Sequence, residues 1–138
     1  MNKINSQCLV RAAIKCANRL NISVNIAIYD TGANLFAFQK MDGALLGSID
    51  VSLKKARSAV LFQAPTEALG QLVRENQLES IEQTNDGLIL FAGGEPISVD
   101  GTVIGGIGIS GGSAAQDKEI ALYAISDLNK TNTVKETS

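Results

Sequence analysis

Residues 97–128, ISVDGTVIGGIGISGGSAAQDKEIALYAISDL, constrain this chain more than any other stretch, because a hairpin, a glycine-rich bend and a helix follow one another without a linker. Asp100-Gly101 is the dipeptide best suited to the two positive φ angles of a type I′ turn, so the flanking segments read as antiparallel strands. Ser113 and Gln116 match a capping box, and Asp117 and Glu119 follow in the first helical turn, where carboxylates suit the positive end of the helix dipole. Between turn and cap lie Gly105, Gly106, Gly108, Gly111 and Gly112, so the backbone there bends sharply or is approached closely by another element. A glycine bend entering a capped helix is either a packing corner or an anion site built from main-chain N–H groups.

Gly106, Gly108 and Gly111 also satisfy G-x-G-x-x-G, the fingerprint of a dinucleotide site. That site needs a second parallel strand carrying an acidic residue about 20 residues on. Only one helix follows the glycines, and the Asp-Gly turn makes their strand the second arm of an antiparallel hairpin. The match is therefore rejected.

The absence of histidine limits the chemistry further. It removes the commonest general base and the commonest zinc or haem ligand, and it excludes Ser-His-Asp and Cys-His mechanisms. The two cysteines, Cys8 and Cys16, fall in one expected helix about 12 Å apart along its axis, too far to bridge, and read as core filling. A net charge of −2 and the lack of Trp argue against nucleic-acid binding. At 138 residues the chain reads as a single domain, 1–138, that needs no metal or disulfide to fold. Arg11, Lys15 and Arg19 interrupt the N-terminal region and no run approaches 18 apolar residues, so a cytoplasmic protein without a signal peptide or membrane span is expected.

Taken in order, Leu9, Ala13, Cys16, Ala17 and Leu20 mark an amphipathic helix. Val24, Ile26 and Ile28, the turn cluster at 30–34, and Leu35, Phe36 and Phe38 form a first hairpin. Ser48 is the expected cap of a second helix with the stripe Ile49, Leu53, Ala56 and Val60. Lys54, Lys55 and Arg57 then read as a solvated basic face, or as a cationic lip over a ligand with Lys55 foremost. Pro65 opens a third helix, residues 74–86 connect with partial helix, Leu88 to Phe91 reads as a strand, and the tail from Asn129 to Ser138 reads as frayed. Hairpins and a meander in place of alternating βα units predict the α+β class, with helices packed on an antiparallel sheet of about five strands.

Across about Leu9 to Leu128, the segments VNIAIYDTGANLFAFQKMDGA, KKA at 54–56, FAGGEPI and DGTVIGGIGISGGSAAQDKEIA resemble the GlcG/HbpS-like family. The resemblance implies a profilin-like three-layer α/β/α arrangement with a five-stranded antiparallel sheet, and homo-oligomers. It also implies three functional settings: haem binding or degradation, the haem-binding C-terminal domain of PduO-type adenosyltransferases, and small proteins accompanying glycolate, glycerol or propanediol enzymes. In those relatives the adenosyltransferase activity belongs to a separate helical domain, so the resemblance does not imply that activity for this chain. Haem in the PduO-type relatives is held by a histidine, so any haem here would use Met41, Tyr29, Tyr123, Cys8, Cys16 or a lysine.

The leading expectation is a small accessory protein that binds an anionic or oxygenated small molecule. The binding set is Met41, Asp42 and Gly43 from one loop, Ser110, Gly111, Gly112 and Ser113 from the glycine corner, Lys55 as a positive contact, and Asp117 as an orienting carboxylate. No metal site is expected and no firm cofactor. The alternatives are a haem-handling protein without a histidine ligand and a structural partner of a corrinoid-dependent dehydratase or related enzyme.

Overall fold

A computed structural model describes the backbone of residues 4–137 and the side chains of residues 4–130. The fraying expected for 129–138 falls largely on residues outside those whose side chains are described. Helix α1, Ser6–Arg19, begins where the Asn5 side chain accepts a hydrogen bond from the Cys8 N–H at 3.1 Å. It buries Leu9, Ala12, Ala13, Cys16 and Ala17, the stripe that its 3.6-residue period prescribes. Strands β1, Asn25–Asp30, and β2, Leu35–Lys40, form the first hairpin. Asp30 closes its turn by accepting from the N–H groups of Gly32 and Asn34.

Helices α2, Gly47–Phe62, and α3, Thr66–Glu75, follow, then a single 3-10 turn at Ile81–Gln83. Strands β3, Gly94–Val99, and β4, Thr102–Ser110, form the second hairpin, and α4 runs Ala114–Thr137. Asp100 and Gly101 have φ of 53° and 79°, as a type I′ turn requires. The class is α+β, with four helices and a fully antiparallel sheet in the order β2-β1-β4-β3.

The sheet has four strands, one fewer than expected. Leu88–Phe91 is not a strand, because its backbone groups find partners outside any ladder. Leu88 N–H donates to the Glu82 carbonyl and Ile89 N–H to the Ser58 hydroxyl, and once satisfied in this way the segment gains nothing from pairing with β3. A second correction concerns α2. Ser48 does not cap it, since the helix starts at Gly47, with Leu46 at the cap position and no side-chain cap.

The two faces of the sheet are built differently. On one side Ile26, Ile28, Ile97, Ile107 and Ile109 join Leu9, Cys16 and Ala17 of α1 and Ile120, Ala124 and Leu128 of α4 in a continuous apolar core. On the other side β1 and β4 present Ala27, Gly106 and Gly108, and α2 lies against them at backbone distance. A Cβ placed on Gly106 would come 2.7 Å from the Ala56 carbonyl oxygen, and one on Gly108 would collide with the Ser52 carbonyl and lie 2.5 Å from the Ala56 nitrogen. The glycines first noted as a bend are thus, at these two positions, the floor on which a helix rests.

Gly108→Ala is expected to cost about 3 kcal/mol, because the added methyl meets main chain that has no rotamer to yield. Gly47→Ala, with nothing within 4 Å of the new methyl, should stay within about 0.5 kcal/mol of wild type. Urea denaturation of both variants measures the contrast.

Candidate functional site

The end of the sheet at which β1 begins and β4 finishes collects most of the residues singled out from sequence. Asn25 and Ser110 are register partners there, so their side chains share one face. After β2 the chain returns over this end, with Met41 N–H donating to the Val24 carbonyl at 3.1 Å and the Met41 sulfur accepting from the Val24 N–H at 3.4 Å. Gly111, at φ 154°, would place a Cβ 2.5 Å from the Ser23 carbonyl oxygen. The Met41–Gly43 loop and the Ser110–Ser113 corner, nearly 70 residues apart in sequence, therefore meet across Ser23–Asn25. Asp42, the middle residue of the loop, is exposed to solvent.

Asn25 is fully buried and was not among the residues expected at the site. Its Nδ2 donates to the Leu45 carbonyl at 3.1 Å, which orients the amide, and its Oδ1 has no hydrogen-bond partner. An acceptor left dry in this way is costly, about 1–3 kcal/mol, unless something supplies a donor. Nothing in the sequence marks it, since its burial arises from the loop that folds over the strand end.

Lys55 occupies a different place from the one its neighbours in sequence implied. It is 1% exposed, not a lip in solvent. The buried residues of α2 are Ser52, Lys55, Ala56, Ser58, Ala59 and Val60, so Ala56 and Val60 of the expected stripe are buried, whereas Ile49 and Leu53 are only half-buried and small residues take their place against the glycine floor. The Lys55 ammonium donates to the Ile109 carbonyl at 2.7 Å and to Asp117 Oδ2 at 3.1 Å, and the Phe91 ring lies with its centroid 5.1 Å away. Burial pushes the Lys55 pKa below the ordinary lysine range, and the Asp117 charge and hydrogen bond oppose that fall.

Asp117 also accepts from the Gly112 N–H at 2.9 Å through Oδ1. Ser113 Oγ accepts from the Gln116 N–H, and Gln116 Oε1 from the Ser113 N–H, which is the reciprocal capping box read from the sequence. Two of the main-chain donors assigned to an anion, those of Gly112 and Ser113, are thus already engaged by the helix's own side chains.

A second buried carboxyl, Glu95, was also not foreseen. It sits on β3, 5% exposed, with Oε2 unpartnered. Its pKa is pushed up to about 7, chiefly by burial; the Lys118 charge pulls it down and Glu67 pushes it up. Lys118 and Glu67 are themselves paired at 2.7 Å, linking α4 to α3. The sulfur and phenol groups considered as iron ligands are dispersed. Cys16 is in the core, Cys8 approaches Asp127 at 3.6 Å, the Met41 sulfur accepts the Val24 N–H, Arg19 stacks on Tyr123, and Tyr29 is half-buried on β1. Among the described residues there is no group of three or more Cys, Asp or Glu side chains placed to hold a metal ion, and no helix is long and apolar enough to cross a membrane.

The family model described as haem degrading protein HbpS-like matches residues 4–126. The chain is 35% identical over 117 residues to an uncharacterized 15.0 kDa protein in the dhaT-dhaS intergenic region of Citrobacter freundii, covering 81% of this chain and 82% of that one. It is 37% identical over 123 residues to the corrinoid adenosyltransferase PduO of Salmonella typhimurium, covering 88% of this chain but only 37% of that protein. The crystal structure of the PduOC:heme complex superposes with a TM-score of 0.84 at 37% identity, over 89% of this chain and 91% of that one.

Two outcomes follow for the buried charges. Asp117→Asn should destabilise the protein by about 3–5 kcal/mol, since it strands the Lys55 ammonium in a dry site, whereas the double change Lys55→Met, Asp117→Leu should cost less; urea midpoints rank them. For Glu95 the folded pKa of about 7 lies above the ordinary 4.5, so the folded state holds a proton that the unfolded chain has lost. Stability should therefore fall as pH rises from about 4.5 to 7, by up to about 3 kcal/mol. Glu95→Gln should flatten that slope in thermal melts taken across the range.

Proposed function

The chain belongs to the HbpS-like family, and within that family we propose that it is a small accessory protein binding a hydroxyl-bearing molecule at the sheet end formed by Asn25, Lys55, Ser110, Asp117 and the Met41–Gly43 loop. The observation that carries this reading is the partnerless Asn25 Oδ1 in a fully buried amide. A ligand hydroxyl supplies the donor that oxygen lacks, which a purely anionic group does not. Engagement of the Gly112 and Ser113 amides within the chain points the same way, toward the oxygenated rather than the anionic half of the expected ligand class. Ser110, Lys55 and Asp117 add donors and acceptors around the ligand, and Asp42 stands at the rim.

Short diols, glycerol and hydroxyacids have the right chemistry. They accord with the small-diol setting that the family resemblance implies and with the relationship to PduO, of which this chain matches about a third. A cytoplasmic setting, a homo-oligomer and a partner enzyme of diol or hydroxyacid metabolism complete the proposal. The exposed apolar side chains Leu35, Phe36, Leu45 and Leu46 support association.

Haem is the second reading, favoured by a groove of about 470 Å³ between α1 and β2 that Val10, Ala37 and Phe38 line and Arg11 flanks, and by the haem held in the PduOC structure. The groove suits an apolar ring with Arg11 beside a carboxylate. Its lining, completed by Ser6, Gln7 and Gln39, has no imidazole, thiolate, thioether or phenol, so it offers the iron no customary axial ligand. No step is assigned to haem.

Thermal melts with millimolar propane-1,2-diol, glycerol, glycolate, phosphate, cobalamin or haemin separate these readings. A saturable rise of several degrees with a diol or hydroxyacid, lost in Asn25→Val, is expected. A rise with phosphate alone, or with none of the hydroxyl compounds, would overturn the proposal, and a stoichiometric Soret change with haemin would favour the second reading.

A further inference from the structure

We propose that Lys55 captures small hydroxycarbonyl compounds covalently, as a protonated Schiff base with Asp117 as its counter-ion; this rests on the hydroxyl-binding reading of the same sheet end. Four observations lead there. First, Lys55 is the largest fully buried side chain among the described residues, and an amine held out of water is the form of lysine that acts as a nucleophile. Second, its nitrogen is held, not loose: the Ile109 carbonyl and Asp117 Oδ2 fix it at 2.7 and 3.1 Å.

Third, only a glycine at position 93 fits beside the nitrogen. A Cβ at that position would stand 2.5 Å from Nζ, and its φ of 126° is one that a side-chain-bearing residue rarely adopts. The flanking Phe91, with its ring 5.1 Å from Nζ, is 50% exposed. Fourth, Asp117 is already oriented. Its Oδ1 is occupied by the Gly112 N–H, which leaves Oδ2 facing the ammonium. The depressed pKa of Lys55, caused by burial, is in keeping with this geometry.

The step balances without a co-reactant. Asp117 Oδ2 takes a proton from the ammonium, and the freed lone pair attacks the carbonyl carbon to give a carbinolamine. In that adduct a proton shifts from nitrogen to the new oxygen, and the resulting hydroxyl leaves as water by taking up the one proton that Asp117 held. The sum is one ammonium and one carbonyl giving one iminium and one water. The Lys55 nitrogen carries the positive charge at the start and at the end, so the buried carboxylate faces a cation in both states, and the change leaves no new charge in a dry site. The ligand hydroxyl meets Asn25, on the strand beside the one whose Ile109 carbonyl holds Lys55. A short hydroxyaldehyde or hydroxyketone carries both groups.

The full-length protein incubated with hydroxyacetone and cyanoborohydride, then digested and mapped by mass spectrometry, tests this directly. The expected result is a reduced adduct on Lys55 forming at least tenfold faster than on the exposed-face Lys54, slowed by propane-1,2-diol and absent in Lys55→Arg, which retains a cation for Asp117. Adducts scattered over surface lysines with Lys55 unmodified would overturn the covalent step. In that case a diol-dependent melting shift that still depends on Asn25 leaves the binding reading intact, whereas its loss removes both.

Discussion

Helix α2 rests on the sheet at main-chain contact, and most of the molecule's particular features follow from that closeness. Gly106 and Gly108 supply no side chains, Ala27 supplies one methyl, and Ser52, Ala56 and Ala59 answer with equally small groups. Little apolar area is buried per residue by such a contact, so its strength lies in dispersion between closely fitted backbones and in the shape match itself. The opposite face of the sheet works the other way, with five isoleucines and the apolar stripes of α1 and α4 burying large β-branched surfaces. One layer of this domain is held by volume and the other by proximity.

Proximity has a consequence for charge. A helix this near the sheet has no room to tilt Lys55 out to water, so the stem runs along the sheet and the ammonium emerges at the Ile109 carbonyl. An unpaired cation there would be prohibitive, and Asp117 answers it from the first turn of α4, where the helix dipole favours a carboxylate. The same carboxylate accepts the Gly112 N–H, and Lys55 reaches the Ile109 carbonyl, so the strand-to-helix corner, the second helix and the last strand are joined through one ion pair. What looks in sequence like a basic run beside a helix cap is in three dimensions a single polar strut across the layers.

Among the described residues, the buried side-chain groups without a hydrogen-bond partner occur where the hydrogen-bonded ladder gives out. Asn25 stands at the first residue of β1, beneath a returning loop that satisfies one end of its amide and leaves the other. Glu95 stands on the edge strand β3, covered by the Lys118–Glu67 bridge. Interior strand positions have no such vacancies, because neighbouring strands consume both backbone groups and packed helices consume the faces. These unpartnered groups thus lie at the end and edge of the sheet, apart from the α1–β2 groove.

Local rules carried far in this protein. Asp100-Gly101 and its strands, the Ser113–Gln116 capping box, the stripe of α1 and the antiparallel α+β class were all legible, since each depends on residues within a few positions of one another. The fifth strand was misread because Leu88–Phe91 has a strand's composition, but Ser58 and Glu82, distant in sequence, take its backbone hydrogen bonds. Lys55 was misread because a lysine in a basic run reads as solvent-facing, whereas it lies beside Ala56 where α2 meets the glycine floor. Asn25 and Glu95 carry no local signal at all. Their burial, their missing partners and the raised Glu95 pKa come from elements that meet only on folding. The order of turns and helices was thus determined by the sequence through short-range stereochemistry, while the identity of the dry, charged and unsatisfied groups was decided by tertiary packing, because desolvation is a property of the surroundings and not of the residue.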